Sequence, residues 1–351
     1  MIILNLLFTF ILSIVFIKLI IKNATGFGLT DVPNDRSSHN IVTPRGAGIG
    51  FGGAFFISNF IFNFSFFIEN GLVFLSIFLV FLIGILDDNK DASPKAKFYV
   101  IIIATLLVFF DDISIYSLGN FFGYEISLLY FALPFTMFAL SGFTNALNLI
   151  DGLDGLAASV SIIILSTFLY IGYVNEDELI ITITSTTIVG LLAFLFFNWN
   201  PASIFMGDSG SLFIGFIISL VAVISVQYIH PITVLYLGAI PILDTIVVMV
   251  RRIKKGLSPF SPDKTHIHHI LLKFFGKKVK KTVLFIALVQ SLFSLVGLML
   301  ALNSEELSSG ISSIIALVAF IGITIFFYMI FTGMQKRQKL IEKLSNRKKR
   351  N

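Results

Sequence analysis

Cysteine is absent from all 351 residues, so the chain has no disulfide framework, no thiolate metal site and no thiol nucleophile. Charge is scarce as well. Asp, Glu, Lys and Arg make up only 13% of the residues, about half the roughly 25% of a soluble globular protein. Hydrophobic residues reach 56%, and mean hydropathy is +0.94. A chain with so little to wet a surface is not a soluble enzyme, a disordered polymer or a nucleic-acid binder, although its net charge is +5.

What fills the sequence instead is apolar runs long enough to cross a bilayer, which takes about 20 residues per helix. Eleven are read, at 2–22, 47–68, 71–87, 97–110, 126–147, 155–174, 179–198, 211–229, 231–250, 282–304 and 308–333. The fourth is the shortest in its uncharged core. No basic residue precedes the first run, and Lys18 and Lys22 follow its core, the reverse of a secretory signal, so a retained span is expected. The expected architecture is an all-α polytopic integral membrane protein. Residues 1–333 form a single transmembrane domain and 334–351 a basic cytoplasmic tail that anchors on anionic lipid.

Basic residues are missing from one side. With eleven spans, all 25 Lys and Arg fall on alternate connections or the adjoining span ends. Lys18, Lys22, Arg36 and Arg45 surround the first loop, and Lys90, Lys95 and Lys97 the second. Ten more lie between Arg251 and Lys281, and eight between Lys336 and Arg350. The other connections carry acids such as Glu69, Asp111, Glu125, Glu176 and Glu306; one of them, 111–125, reads as a small hairpin. The positive-inside rule places the basic side in the cytoplasm, with the N-terminus outside and the C-terminus inside.

The same side collects the polar chemistry. Asp87 and Asp88 end a span, where the helix dipole disfavours anions by roughly 0.3–1 kcal/mol each. They are either a hydrated helix end or a pair that holds a cation and takes a proton. Asn145, Asn148, Asp151 and Asp154 recur every three residues, which on a helix makes one slowly drifting ridge. This is either a polar cap or a set of hard oxygen ligands of the kind Mg²⁺ prefers. Asp208 suits a helix N-cap, or with Ser209, Gly210 and Ser211 a metal whose other face meets phosphate. Phe205 is one more core phenylalanine or a platform for a nucleobase. His266, His268 and His269 have one acid and many lysines near them and no second His or Cys cluster, so an anionic diphosphate suits them better than Zn²⁺. Gly46, Gly48, Gly50, Gly52 and Gly53 follow no strand and open a span, which favours close helix packing over a phosphate loop. Asp244 is an intramembrane acid, functional or paired to a neighbouring helix.

In order along the chain, these motifs resemble the polyprenyl-phosphate N-acetylhexosamine-1-phosphate transferase family (glycosyltransferase family 4), over Asp31 to His269. The resemblance implies transfer of an N-acetylaminosugar 1-phosphate from a UDP-N-acetylhexosamine to undecaprenyl phosphate. UMP is released, and the lipid diphosphate-linked sugar starts a cell-surface glycan such as O-antigen or a teichoic-acid linkage. It implies a bacterial cytoplasmic (inner) membrane location, a site on the cytoplasmic face, and Mg²⁺ as cofactor with Mn²⁺ as the alternative ion. Membrane lipids are expected partners, nucleic acid is not, and a homodimer is left open. By the resemblance, Asp208 and Asn148 are Mg²⁺ ligands with Asp88 close by. Asp87 is the base for direct attack by the lipid phosphate, a two-step aspartyl path being the other route. Asp151 and Asp154 fix the nucleotide or its sugar, and Phe205 stacks on uracil. Arg45, Lys97, His266, His268 and His269 hold phosphates.

Two motifs depart from the muramoyl-pentapeptide transferase branch. Thr43-Pro-Arg45-Gly46-Ala47-Gly48 replaces its TPTMGG-type loop, and His266-Ile-His268-His269 its PxHHH-type motif. Both favour an aminosugar initiator over that alternative. A lipid or solute transporter is the other class considered, but it would gather ionisable groups at the midplane and show repeated halves, whereas only Asp244 is placed deep. An inactive scaffold fits poorly with the intact acidic set.

Overall fold

The computed structural model describes residues 2–33, 42–121, 123–258, 266–309 and 311–348. Arg36, Lys264, Lys349 and Arg350, counted among the basic residues above, and Asp263, the one acid near the histidines, lie outside them. In chain order the helices are α1 (Ile2–Asn23), α2 (Ala47–Phe62), α3 (Phe64–Glu69), α4 (Gly71–Lys90), α5 (Pro94–Phe110), α6 (Ala132–Ile150), α7 (Leu156–Val174), α8 (Glu178–Asn198) and α9 (Asp208–Ser225). There follow α10 (Ile232–Leu237), α11 (Ala239–Ile253), α12 (Ile267–Phe274), α13 (Val279–Leu302), α14 (Ser304–Ser309) and α15 (Ser312–Lys348). Two short antiparallel pairs complete the described elements: β1 (Thr30–Asp31) with β2 (Thr43–Pro44), and β3 (Ser117–Phe121) with β4 (Tyr124–Ser127).

Among the described residues, eight helices are long and apolar enough to cross a membrane. Each of the eleven expected runs coincides with a helix or a broken helix. The run 47–68 divides into α2 and α3 at Asn63, and 126–147 opens with β4 and a 3₁₀ turn before α6 begins. The run 231–250 breaks at Gly238. Pro241 has no N–H for the carbonyl of Leu237, and Gln290 of α13 repairs the gap. Its Nε2 donates to that carbonyl at 2.7 Å, and its Oε1 accepts the Ile240 N–H at 3.0 Å. Buried side-chain repair of this kind is what lets a helix break far from water. The expected hairpin forms between 117 and 127. The expected boundary at 334 falls inside α15, which runs on through the start of the basic tail as one helix.

Helix α9 is the axis of the bundle. Its residues are apolar on every side and 94% of its apolar stretch is buried, against 22% for α1 and 17% for α15 at the rim. Helices α2, α4, α6, α7 and α8 pack around it. Small residues set the spacing. A β-carbon on Gly48 would strike the backbone of Gly210, and one on Gly84 the backbone of Asp208 and Ser209. The glycine-rich opening of α2 therefore serves close packing, with Gly48 against α9, Gly50 against Ile17 of α1 and Gly52 against Phe81 of α4. Farther along the bundle, α1, α2 and α8 are tied by buried polar pairs, Asn5 to Asn59, Thr9 to Ser58 and Asn59 to Thr186.

Candidate active site

Because α9 starts where α4, α6 and α8 end and where α5 and α7 begin, the polar ends of six helices meet at one end of the bundle. They enclose a cavity of about 330 Å³. Its lining includes Arg45, Asp88, Asn148, Asp151, Asp154, Phe205, Asp208 and His269 from the motifs, together with Asp31, Asn198 and Ser211. Asp87 and Lys97 adjoin it through Asp208.

Asp208 holds the centre. Lys97 Nζ donates to Asp208 Oδ2 and, at 2.6 Å, to Asp87 Oδ2, so one ammonium bridges two carboxylates. Asn148 Nδ2 donates to Asp208 Oδ1 at 3.2 Å and to Ser211 Oγ at 2.8 Å. Asp208 is not the N-cap of α9. That position falls to Gly207, and the capping is done from another helix. Asp88, only 2% exposed, accepts the Asp208 N–H at 2.8 Å on Oδ1 and the Ser209 N–H at 3.0 Å on Oδ2. Adjacent residues of α4 thus do different work: Asp87 pairs with Lys97, while Asp88 uses both oxygens on the positive end of α9. Gly207 permits this contact, because its φ is +75° and a β-carbon there would run into the Asp88 carboxylate.

The loop bearing Arg45 is zipped onto the segment before α9. Phe205 N–H donates to Pro44 O at 2.8 Å, Ala47 N–H to Phe205 O at 3.1 Å and Gly48 N–H to Met206 O at 2.9 Å. Phe205 is thereby fixed at the cavity wall. Arg45 Nη2 donates to the Asp88 carbonyl at 2.7 Å, and its Nε–H is buried with no partner among the described residues.

The three-residue ridge ends early. Helix α6 stops at Ile150, so Asp151 and Asp154 stand on a turn, and Asn145 is exposed away from the cavity. Burial, with the charges of Asp208, Asp88 and Asp154 adding to it, pushes the Asp151 carboxyl up to about 7. Asp154 Oδ2 accepts from Asn200 Nδ2 at 2.7 Å and Ala202 N–H at 3.1 Å. Asn198 closes the floor: its Oδ1 accepts the Gly155 N–H at 2.7 Å and its Nδ2 donates to Ile204 O at 2.9 Å. Asn198 and Asn200 stand in an Asn-Trp-Asn-Pro run, and no spacing rule marks them as partners of residues 154 and 155.

The histidines divide. His269 lines the cavity. His266 is buried and bonded through Nδ1 to Asp244 Oδ2 at 2.8 Å. His268 packs against Gly152 and is neutral, since burial above all, and then the neighbouring His269, push it down to about 3.

The donor set suits a small hard cation. Asp87 and Asp208 each turn a carboxylate oxygen to one positive centre, the Lys97 ammonium. Among the described residues no three acidic or histidine side chains form a closed metal cage. Asn148 presents its amide nitrogen to Asp208, so ligation by Asn148 requires that amide to be turned over.

A bundle of apolar helices with an acidic cavity at one end defines a multi-pass membrane protein. Residues 71–226 match the model of glycosyl transferase family 4. The chain is 33% identical to the probable undecaprenyl-phosphate N-acetylglucosaminyl 1-phosphate transferase of Bacillus subtilis (strain 168), over 83% of this chain and 82% of the relative. It is 30% identical to the undecaprenyl-phosphate alpha-N-acetylglucosaminyl 1-phosphate transferase of Escherichia coli O157:H7, over 90% and 88%. The enzyme of the same name from Yersinia pestis is 31% identical over 84% and 82%. The chain belongs to this family of transferases.

Proposed function

We propose that this protein transfers an N-acetylaminosugar 1-phosphate from a UDP-sugar to undecaprenyl phosphate at the cytoplasmic face of the bacterial cytoplasmic membrane, releasing UMP. The relatives carry N-acetylglucosamine in their names, so UDP-N-acetylglucosamine is the first donor to test. The observation that carries the reading is the convergence of Asp87, Asp88, Asn148, Asp151 and Asp208, from separate stretches of chain, at the start of α9. The basic loops flank this end of the bundle, which supports eleven crossings with the N-terminus outside.

In the reaction an oxygen of the lipid phosphate attacks the sugar-bearing phosphorus. A new P–O bond forms, the bond from that phosphorus to the bridging oxygen breaks, and UMP leaves with that oxygen. Asp87 accepts the proton of a lipid phosphate that arrives protonated, and Lys97 keeps Asp87 aligned with Asp208. Phe205 offers a face to uracil. Arg45 Nε–H, buried without a partner among the described residues, offers a donor to a phosphate oxygen. Asp208, with Asp87 or Asn148 beside it, would hold Mg²⁺. The ion would neutralise diphosphate charge in a cavity whose described lining carries five carboxylates and one guanidinium. Purified protein given UDP-N-acetylglucosamine, undecaprenyl phosphate and Mg²⁺ is expected to release UMP and form the lipid diphosphate sugar only when all three are present. Absence of product under conditions in which the Escherichia coli relative works would end this reading.

A further inference from the structure

We infer that Asp244 is the positioning residue of the histidine segment: by holding His266 and the start of α12, it sets His269 against the cavity. The activity part of the test rests on the transferase reading.

Asp244 lies in α11 and is 1% exposed. A carboxylate that deep is costly unless both oxygens are engaged, and both are engaged by the same short segment. Oδ2 accepts from His266 Nδ1 at 2.8 Å and Oδ1 from the Ile267 N–H at 2.7 Å. These are the cap residue and the first residue of α12, whose N-terminus has no side-chain cap of its own. An acid from α11 thus does for α12 what Asp88 does for α9. As the donor to Asp244 Oδ2, His266 carries its proton on Nδ1, which fixes the tautomer and ring plane.

From His266 the arrangement passes to the cavity through neighbouring rings, the last two of which, His268 and His269, are tilted by 49°. His268 lies 5.8 Å from His266, centroid to centroid, with the planes 13° apart, and His269 is 4.2 Å from His268. His268 Nε2, buried with no partner among the described residues, rests on Gly152, where a β-carbon would collide with it. His269 then lines the cavity that holds Asp88 and Asp208. Asp244 itself stands outside that cavity, beside a separate narrow crevice lined by Ile150, Leu156 and Ile240. It therefore acts through the imidazoles and not on substrate.

The test is a double-mutant cycle in the full-length protein, reading kcat/KM for the UDP-sugar in Asp244→Ala, Asp244→Asn, His269→Ala and the double variant Asp244→Asn with His269→Ala. Asp244→Asn retains one acceptor for the Ile267 N–H and carries the cycle if the alanine variant does not fold. Each Asp244 single variant is expected to lose about 10- to 100-fold, the range seen when an orienting partner of a functional histidine is removed. Adding Asp244→Asn to His269→Ala should cost less than about 3-fold more, because the ring it orients is already gone. Losses that multiply, or single variants as active as the wild type, would overturn the proposal. Amide hydrogen exchange across Ile267–Phe274 reads the same point without turnover. Asp244→Asn should speed exchange there at least about 10-fold and leave α4 and α9 unchanged. Unaltered exchange in α12 overturns the proposal even if the wild type proves inactive as a transferase, whereas inactivity with faster exchange overturns only the transferase reading.

Discussion

At the end of the bundle away from the cavity, polar groups complete one another. His230 Nε2 donates to Asn120 O at 3.1 Å, its Nδ1 accepts the Ile232 N–H at 3.3 Å, and its own N–H reaches Ser304 Oγ at 3.4 Å. Asp177 caps α8 through the Ile180 N–H at 2.8 Å and accepts from Tyr228 Oη at 3.0 Å. At the cavity end, Asp31, Asp88, Asp151, Asp154 and Asp208 line one cavity. Donor–acceptor sets that close on themselves hold a fold together. Like charges gathered around a cavity oppose folding, and they persist where a ligand or ion supplies the missing charge.

The largest effect should come from the group to which this asymmetry is anchored. Asp208→Asn keeps the shape but removes the charge that pairs with Lys97 and that would hold the proposed metal ion. UMP release should fall at least about 1,000-fold, a loss of roughly 4 kcal/mol in transition-state stabilisation. The melting temperature should stay within a few degrees of the wild type. Retained activity would mean that the cavity end is no more reactive than the far end. Asp88→Ala should come next, and its main cost is structural. Two N–H groups at the start of α9 lose an ionic acceptor in a buried place, which costs about 2 kcal/mol, and Asp208 loses its register. Thermal melting should show the destabilisation, and activity should drop with it. A variant that loses activity with unchanged melting would show that Asp88 meets substrate directly instead of capping α9.

How far the sequence reveals this division depends on the range of the signal. Apolar runs and one-sided lysines are local and additive, so the helices and the end that carries the site are legible from residue order alone. The doublet Asp87-Asp88 is legible as a functional pair but not as two functions, because the acceptor duty of Asp88 belongs to a helix 120 residues later. The ridge from Asn145 to Asp154 assumes one continuous helix, yet Asp151 leaves it at ψ +61°, and the glycines that follow make that departure easy. Asp244 is legible as an anomaly. Its partner His266 reads as a phosphate contact by resemblance, and only the fold brings the two together.

Smaller effects sharpen the contrast through pH and through the far end. The Asp151 carboxyl is raised to about 7, so its folded form binds a proton more tightly than the unfolded chain does. The stability this contributes is complete below the unfolded value near 4 and is lost as pH rises through 7. Asp151→Asn should therefore raise the melting temperature relative to the wild type at pH 8, and the gain should shrink steadily towards pH 4. A gain independent of pH would mean that this carboxyl feels no convergent charge. His230→Ala, at the opposite end, should do least. It removes one acceptor and one donor that bind the β3–β4 hairpin to α10, a loss of about 1 kcal/mol, visible as a small drop in melting temperature. Because α9 is packed along its whole length between that hairpin and the cavity, the loosening stays local, and UMP release should remain within about 2-fold of the wild type. A large loss of turnover from His230→Ala would break the comparison, since it would mean that the closed polar set at the far end controls the open one.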